Sequence, residues 1–123
     1  MKVLLVDDNK EITEVVSFFL ESQYDDISCI VVNEGRKAFQ EIKEHDDYDV
    51  IILDMALPEM SGYDILEQLS KENLMRSKEI VIFTASSIPE TDKQEFFKSG
   101  VKGFLRKPFS IDELASMIES FRK

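Results

Sequence analysis

The feature that most constrains the fold is the regular order of short apolar runs along the chain. Each run is rich in β-branched and other apolar residues, and each is followed by a segment with helical patterning. The runs are continuous in hydrophobicity rather than alternating, which is typical of strands covered on both faces of a parallel sheet. The predicted strands are Lys2–Val6, Ile27–Val32, Val50–Leu53, Ile80–Thr84 and a shorter fifth run, Gly103–Leu105.

The segments between these runs predict helices, because their apolar residues recur at three- and four-residue spacing. In the first segment the stripe consists of Ile12, Val15, Val16, Phe19 and Leu20. A second stripe lies near the C-terminus, and Ser110 with Glu113 predicts a capping box ahead of it. Three further helices are predicted, near Gly35–His45, Gly62–Glu72 and Glu90–Ser99.

A β-α unit repeated five times predicts one α/β domain over residues 1–123, with right-handed crossovers and helices on both faces of the sheet. The formal net charge of -10 argues against nucleic acid and anionic membranes as direct partners. No apolar stretch is long enough to span a membrane. The single cysteine, Cys29, is expected to be a buried thiol in a reducing compartment, so the predicted location is cytoplasmic.

Chemistry in such a fold is expected beyond the carboxyl ends of the strands, where open α/β sheets bind their ligands. The second strand ends in Asn33 and Glu34, for which the sequence indicates no clear role. The other strand ends carry three aspartates, a threonine and a lysine: Asp7, Asp8, Asp54, Thr84 and Lys107.

Three carboxylates in one cleft repel each other, and their pKa values rise unless a cation intervenes. Lys107 would offset one negative charge, and a divalent metal would offset the rest. An all-oxygen ligand set with room for waters favours Mg²⁺ over zinc. Each residue also has an ordinary explanation: Asp8 with Glu11 fits a capping box, Asp54 a turn, and Lys107 a solvated charge. The joint pattern is more specific than any of its members.

Four motifs in order make the chain resemble the receiver domains of two-component response regulators, especially single-domain chemotaxis-type receivers. These motifs are "LLVDDN", "IILDMALPEMSG", "IVIFTA" and "GFLRKPF", and the resemblance covers essentially the whole chain. It implies a flavodoxin-like (βα)5 three-layer sandwich with a parallel sheet in the order 2-1-3-4-5. It also implies phosphorylation of an aspartate by a histidine kinase or a histidine phosphotransfer protein, followed by action on an unknown downstream protein.

Carried over by position, the resemblance makes Asp54 the phosphoacceptor. Mg²⁺ would be held by Asp7, Asp8, Asp54 and the backbone carbonyl of Ala56. Lys107 would pair with the phosphoryl group, and the Lys107–Pro108 peptide bond is expected to be cis. Thr84 and Phe104 would form the switch pair that changes the surface of the fourth helix, fifth strand and fifth helix. The only chemistry implied is the domain's own phosphorylation and dephosphorylation, so it is not expected to be an enzyme acting on other substrates.

Other functions remain open at this stage. A phosphatase with Asp54 as nucleophile would need a second acid two residues later, where this chain has Ala56. A nucleotide or flavin binder would need a glycine-rich loop, but acidic "DDNKE" follows the first strand. A pseudo-receiver would be a protein-interaction module that never accepts phosphate. The chain could also be the receiver part of a larger regulator with a separate output domain.

Overall fold

The computed structural model describes residues 1–122, which form a five-stranded parallel sheet in the order β2-β1-β3-β4-β5. The strands are β1 (Lys2–Val6), β2 (Ser28–Val32), β3 (Val50–Asp54), β4 (Ile80–Thr84) and β5 (Gly103–Arg106). The helices are α1 (Lys10–Gln23), α2 (Gly35–Glu44), α3 (Gly62–Lys71), α4 (Glu90–Ser99) and α5 (Ile111–Glu119), and a short 3-10 turn, Met75–Ser77, precedes β4. The predicted fold class and strand order are confirmed.

The helices cover the sheet in two layers, because successive strand residues point to opposite faces. On one face, Leu4 and Ile51 pack among buried residues of α2 and α3. On the other face, Val3 and Val50 pack among buried residues of α1 and α5. The sheet therefore separates two apolar cores, and the chain is a three-layer sandwich.

Strand β2 differs from the prediction that the strands are covered on both faces. It forms one edge of the sheet, and most of its side chains are exposed, including those of Ile30 and Val31. Cys29, in the same strand, is only partly buried and remains a free thiol. The apolar residues of this run therefore predicted more burial than the strand has in the structure.

Helix α1 also departs from its predicted pattern. Val16 and Leu20 are buried as expected, whereas Val15 is 69% exposed and does not belong to the core-facing stripe. The polar Thr13 is buried in that face instead. The alternative explanation of Asp8 with Glu11 as a capping box does not hold, because Asn9 is the N-cap and its side chain accepts hydrogen bonds from the amides of Glu11 and Ile12.

Both ends of the described chain contact the segment between α1 and β2. The Met1 ammonium donates to the carbonyl oxygen of Asp26, and the Arg122 guanidinium donates two hydrogen bonds to the Asp26 carboxylate. Arg122 also lies over the Tyr24 ring, 5.0 Å from its centroid. Arg122 lowers the pKa of Asp26 to about 2. Among the residues described, none of the helices is both long and apolar enough to cross a membrane.

Candidate functional site

Three carboxylates meet at the carboxyl end of the sheet, as the sequence predicted. Asp7 and Asp8 directly follow β1, and Asp54 is the last residue of β3. One oxygen of each carboxylate lies within 4.8 Å of the other two. Asp7 and Asp54 are buried, whereas Asp8 is exposed. We call the space bounded by these three residues and Lys107 the acidic cleft.

Lys107 enters the acidic cleft from the other side of β3, one residue after β5 ends. Its Nζ lies 2.6 Å from Asp7 Oδ2 and 3.5 Å from Asp54 Oδ1. The ammonium also lies 4.5 Å from the centroid of the Phe83 ring, a favourable cation–π distance. The Lys107 amide donates to the Thr84 carbonyl, and the Lys107–Pro108 bond is cis, as expected. Lys107 is therefore a partly buried counter-ion rather than a solvated surface charge.

The electrostatics of the cleft centre on Asp54. Burial raises the pKa of its carboxyl above the ordinary value, and the nearby Asp7 charge raises it further. The Ala56 amide, which donates to Asp54 Oδ1 at 3.3 Å, and the Lys107 ammonium act in the opposite direction. Lysine thus compensates the acidic cleft only in part, and a further positive charge in the cleft would stabilise the ionised form of Asp54.

The loop after Asp54 turns tightly around the cleft. The Gly62 amide, at the start of α3, donates back to the Met55 carbonyl at 3.2 Å. A Cβ at Gly62 would lie 2.5 Å from the Asp54 carbonyl oxygen, so the close approach requires glycine. Ser61 then starts α3 with a complete capping box to Asp64, which the sequence reasoning missed although the Ser-x-x-Asp spacing was visible.

Asp7 is held from several directions. Its amide donates to the Val32 carbonyl at 3.3 Å, and its Oδ1 accepts from the Asn9 amide at 2.9 Å. The side-chain amide of Asn33 donates to the Asp7 carbonyl oxygen at 2.7 Å. Asn33 is thus a residue near the site for which sequence reasoning found no role. The only available signal was its place at the carboxyl end of a parallel strand.

Thr84 and Phe104 lie on neighbouring strands, two register positions apart, since Thr84 pairs with Arg106 and Ile82 with Phe104. The Thr84 hydroxyl accepts from the Ser86 amide at 3.1 Å and lies 3.3 Å from the Ser86 carbonyl oxygen. This hydroxyl is therefore engaged with the loop after β4. The Phe104 ring is half-buried and packs against Phe97 of α4, with ring centroids 5.1 Å apart.

The donor set of the cleft fits a hard divalent cation. All three carboxylates offer oxygen, and no histidine or cysteine belongs to the group among the described residues. Two of the carboxylates are buried with only one lysine for compensation. Mg²⁺ prefers oxygen ligands and retains several waters, which suits a cleft with one exposed carboxylate.

The family follows from comparison of the whole chain with known proteins. Residues 3–119 match the family profile described as "Response regulator receiver domain". The chain belongs to the response regulator receiver domains. It is 32% identical over 123 residues to the transcriptional regulatory protein CiaR of Streptococcus pneumoniae, covering 100% of this chain and 52% of CiaR. The chain spans about half the length of the curated relatives it matches.

Solved structures agree with this membership. The receiver domain of the Francisella response regulator 1452 superposes with a TM-score of 0.82 at 33% identity, covering 98% of this chain and 94% of that one. The receiver domain of the sensor histidine kinase PA1611 from Pseudomonas aeruginosa superposes with a TM-score of 0.78 at 27% identity, covering 98% and 95%. That structure has a magnesium ion coordinated in its active-site cleft.

Receiver domains are regulatory modules of two-component signalling, and no enzymatic family is indicated for this chain. Receiver domains bind Mg²⁺ at an acidic pocket, and this receiver has the Asp7, Asp8 and Asp54 group at the corresponding end of its sheet. They interact with histidine kinases or phosphotransfer proteins and with downstream targets.

Proposed function

We propose that this receiver accepts a phosphoryl group on Asp54 from a histidine kinase or a histidine phosphotransfer protein. The observation that carries the proposal is the position of Asp54: a carboxylate only 3% exposed, at the end of β3, facing two more carboxylates and a lysine. A buried carboxylate that only one ammonium partly compensates has no evident structural use. It is suited to a reaction in which cationic partners neutralise developing negative charge.

In the proposed reaction, an ionised oxygen of Asp54 attacks phosphorus in line with the donor's histidine nitrogen. The oxygen–phosphorus bond forms as the phosphorus–nitrogen bond breaks, and the histidine nitrogen retains the electron pair and takes up a proton. The Ala56 amide and the Lys107 ammonium both face Oδ1 of Asp54. We therefore assign Oδ2 as the attacking oxygen, because it faces neither of these two donors.

Asp7, Asp8, Asp54 and the backbone carbonyl of Ala56 are the residues that would hold Mg²⁺. When bound, the cation supplies charge neutralisation for the equatorial oxygens of the transferred group. The residues of the chain arrange the cleft around it: Asp7 and Asp54 are buried and fixed by hydrogen bonds, and Asp8 is open to water. A site with few protein ligands and retained waters is expected to have modest affinity.

We assign Lys107 the role of pairing with the phosphoryl oxygens. In the unphosphorylated domain its ammonium is bonded to Asp7, so phosphorylation would exchange a carboxylate partner for a phosphoryl partner. Charge-assisted hydrogen bonds of this type are stronger than neutral ones.

Thr84 and Phe104 are proposed as the switch pair. Within residues 1–122 the Thr84 hydroxyl bonds only to Ser86, so a phosphoryl oxygen at Asp54 could recruit it as a donor. Phe104 would then turn into the space that Thr84 vacates, and its contacts with Phe96 and Phe97 on α4 would be lost. The surface formed by α4, β5 and α5 would change for a downstream protein that remains to be identified.

We propose that residues 1–123 act as one receiver domain in the cytoplasm, where ATP-dependent kinases operate. The domain is proposed to make no direct contact with nucleic acid and not to insert into a membrane. Its chemistry is confined to its own phosphorylation and dephosphorylation. A separate output domain in a larger regulator is compatible with it, since the matched relatives are about twice as long.

Incubation with Mg²⁺ and acetyl phosphate, followed by intact-mass measurement, tests the proposal. We expect one phosphoryl adduct that hydroxylamine removes, as it does from acyl phosphates. Asp54→Asn should abolish the adduct. Asp64→Asn, the same change at an exposed carboxylate in the first turn of α3, should leave it unchanged. An adduct that persists at full yield in Asp54→Asn contradicts the assignment, and a wild-type domain that forms none favours a pseudo-receiver.

A further inference from the structure

Strand β2 carries none of the proposed reacting residues, yet its end reaches the acidic cleft through Asn33. The Asn33 side-chain amide donates to the Asp7 carbonyl oxygen at 2.7 Å and lies 3.4 Å from Thr13 Oγ1. Asn33 is only partly buried, so burial alone does not explain an amide at this position. One contact is with the loop that carries Asp7 and Asp8, and the other is with α1, which follows that loop.

The second contact extends the connection into α1. Thr13 is 2% exposed, and its hydroxyl donates to the Lys10 carbonyl at 3.0 Å while accepting from Asn33. Asn33 therefore connects two points: the Asp7 carbonyl, where the loop begins, and the first turn of α1, where the loop ends. Asp7 and Asp8, two of the four candidate metal ligands, lie within the short segment that this bridge spans.

The backbone contacts of Asp7 matter because its side-chain contact with Lys107 is not permanent in the proposed function. The Lys107 ammonium lies 2.6 Å from Asp7 and would move to a phosphoryl oxygen once one is present. After that exchange, the loop is held by the Val32 carbonyl, the Asn9 amide and Asn33. Asn33, which directly follows β2, supplies a side-chain hydrogen bond to the backbone of this loop.

We propose that Asn33 is a positioning residue that fixes the Asp7–Asp8 loop for the divalent cation. The inference rests on the proposed function and deepens it, because it assigns a role at that same site to a residue that supplies neither a metal ligand nor a reacting group. Asn33 touches neither the cation nor the phosphoryl group; it acts through the main chain of Asp7. Outer-shell partners of metal ligands typically contribute about 10–100-fold to metal affinity or activity.

The test is a calorimetric Mg²⁺ titration of Asn33→Leu, which keeps a similar side-chain volume and removes the amide. We expect the dissociation constant to rise about tenfold, the lower end of that range, because Asn33 bonds a backbone carbonyl rather than the ligating carboxylate. Thr13→Val should weaken binding less, and Thr13→Ser, which restores a hydroxyl, should recover most of the loss. Gln40→Leu is the matched control, because Gln40 is an exposed amide of α2 that lines a surface pocket beside Asn33 and not the acidic cleft.

A second readout separates positioning from general destabilisation. In acetyl phosphate reactions, the Mg²⁺ concentration for half-maximal rate should rise about tenfold in Asn33→Leu, while the rate at saturating Mg²⁺ stays within about twofold. Unchanged Mg²⁺ dependence with only a lower melting temperature overturns the inference while leaving the proposed function standing. If Asn33→Leu does not fold, the same two measurements are made on Asn33→Ser, Thr13→Val and Thr13→Ser, and weaker Mg²⁺ binding in Asn33→Ser and Thr13→Val is then the expected result. A wild-type protein that neither binds Mg²⁺ nor accepts phosphate overturns both.

Discussion

At the scale of single residues, the most consequential group is the Asp54 carboxyl. Burial and the Asp7 charge raise its pKa, which means that the folded state disfavours its ionised form. In metal-free protein at a pH where this carboxyl is ionised, it therefore lowers the free energy of unfolding. The charge that the proposed reaction requires is a local cost to the fold.

Asp54→Asn is accordingly expected to increase the free energy of unfolding by roughly 1 kcal/mol at pH values above the raised pKa, in the presence of EDTA. Because the folded-state pKa is raised, the penalty is present above that pKa and is relieved as the pH falls through it. The increase in the free energy of unfolding caused by Asp54→Asn should therefore become smaller towards acidic pH. Urea denaturation followed by circular dichroism at several pH values measures both effects.

Asp64→Asn is the control for that measurement. Asp64 accepts from the Ser61 amide in the capping box of α3, so the same chemical change there should lower the unfolding free energy by about 0.5–1 kcal/mol. Two losses of similar size would show that Asp54 is not under electrostatic strain.

Sequence reasoning identified the residues of the cleft because each follows an apolar run in a predictable fold. It could not identify Asn33, since an amide bonded to a main-chain carbonyl leaves no spacing pattern. It also considered Asp8, and not Asn9, as the alternative cap of α1, whereas Asn9 performs that role. Neighbouring polar residues after a strand are chemically equivalent candidates until the backbone angles are known, and Asn9 has the extended conformation of an N-cap.

At the scale of secondary-structure elements, α4 is the least firmly attached helix. It has no buried residue, and its N-cap, Pro89, offers no side-chain hydrogen bond. Its main packing contacts are aromatic: Phe96 lies 6.1 Å from both Tyr63 and Phe104, and Phe97 lies 5.1 Å from Phe104, measured between ring centroids. Phe104 therefore contributes to both aromatic contacts between β5 and α4.

Phe104→Ala should consequently increase hydrogen exchange in α4 without unfolding the domain. Truncating a well-packed aromatic side chain to alanine lowers the free energy of unfolding by about 3–5 kcal/mol. The loss should be smaller here because the Phe104 ring is only half-buried. Exchange measured by mass spectrometry on peptides of α4 and α3 gives the comparison, since α3 has four buried residues and a complete capping box. Equal acceleration in both helices would mean that Phe104 stabilises the domain globally rather than α4 locally.

The elements themselves were largely predictable, and the errors have a common cause. The bounds of β1, β4 and α4 agree with the expectation, and β3 extends one residue further, to include Asp54. The exposed Val15 and the open face of β2 were not predictable from hydrophobicity, because apolar residues at element edges look the same in sequence as those in the core. The turn Met75–Ser77 lacked the periodicity that reveals longer helices.

At the scale of the whole molecule, the net charge of -10 is the dominant feature. Surface ion pairs such as Lys2–Asp47 are exposed and contribute little, whereas the excess of carboxylates repels itself throughout the fold. We therefore expect the melting temperature to rise by several degrees between 10 and 300 mM NaCl in the presence of EDTA, because salt screens the repulsion. A melting temperature that falls with salt would show that the ion pairs outweigh the net charge.

The meeting of both chain ends at Asp26 makes the domain suited to circular permutation. Met1 and Arg122 bond the same residue, so a short glycine-rich linker could join them without crossing the sheet. New ends could then be opened at Asn73, an exposed residue with φ 59° between α3 and the turn before β4. The order of elements along the polypeptide would change while the acidic cleft stayed assembled. In such a permutant Lys107 would precede Asp7 and Asp54 along the chain, with the linker between them, and the cleft would form only because the strands end at the same place.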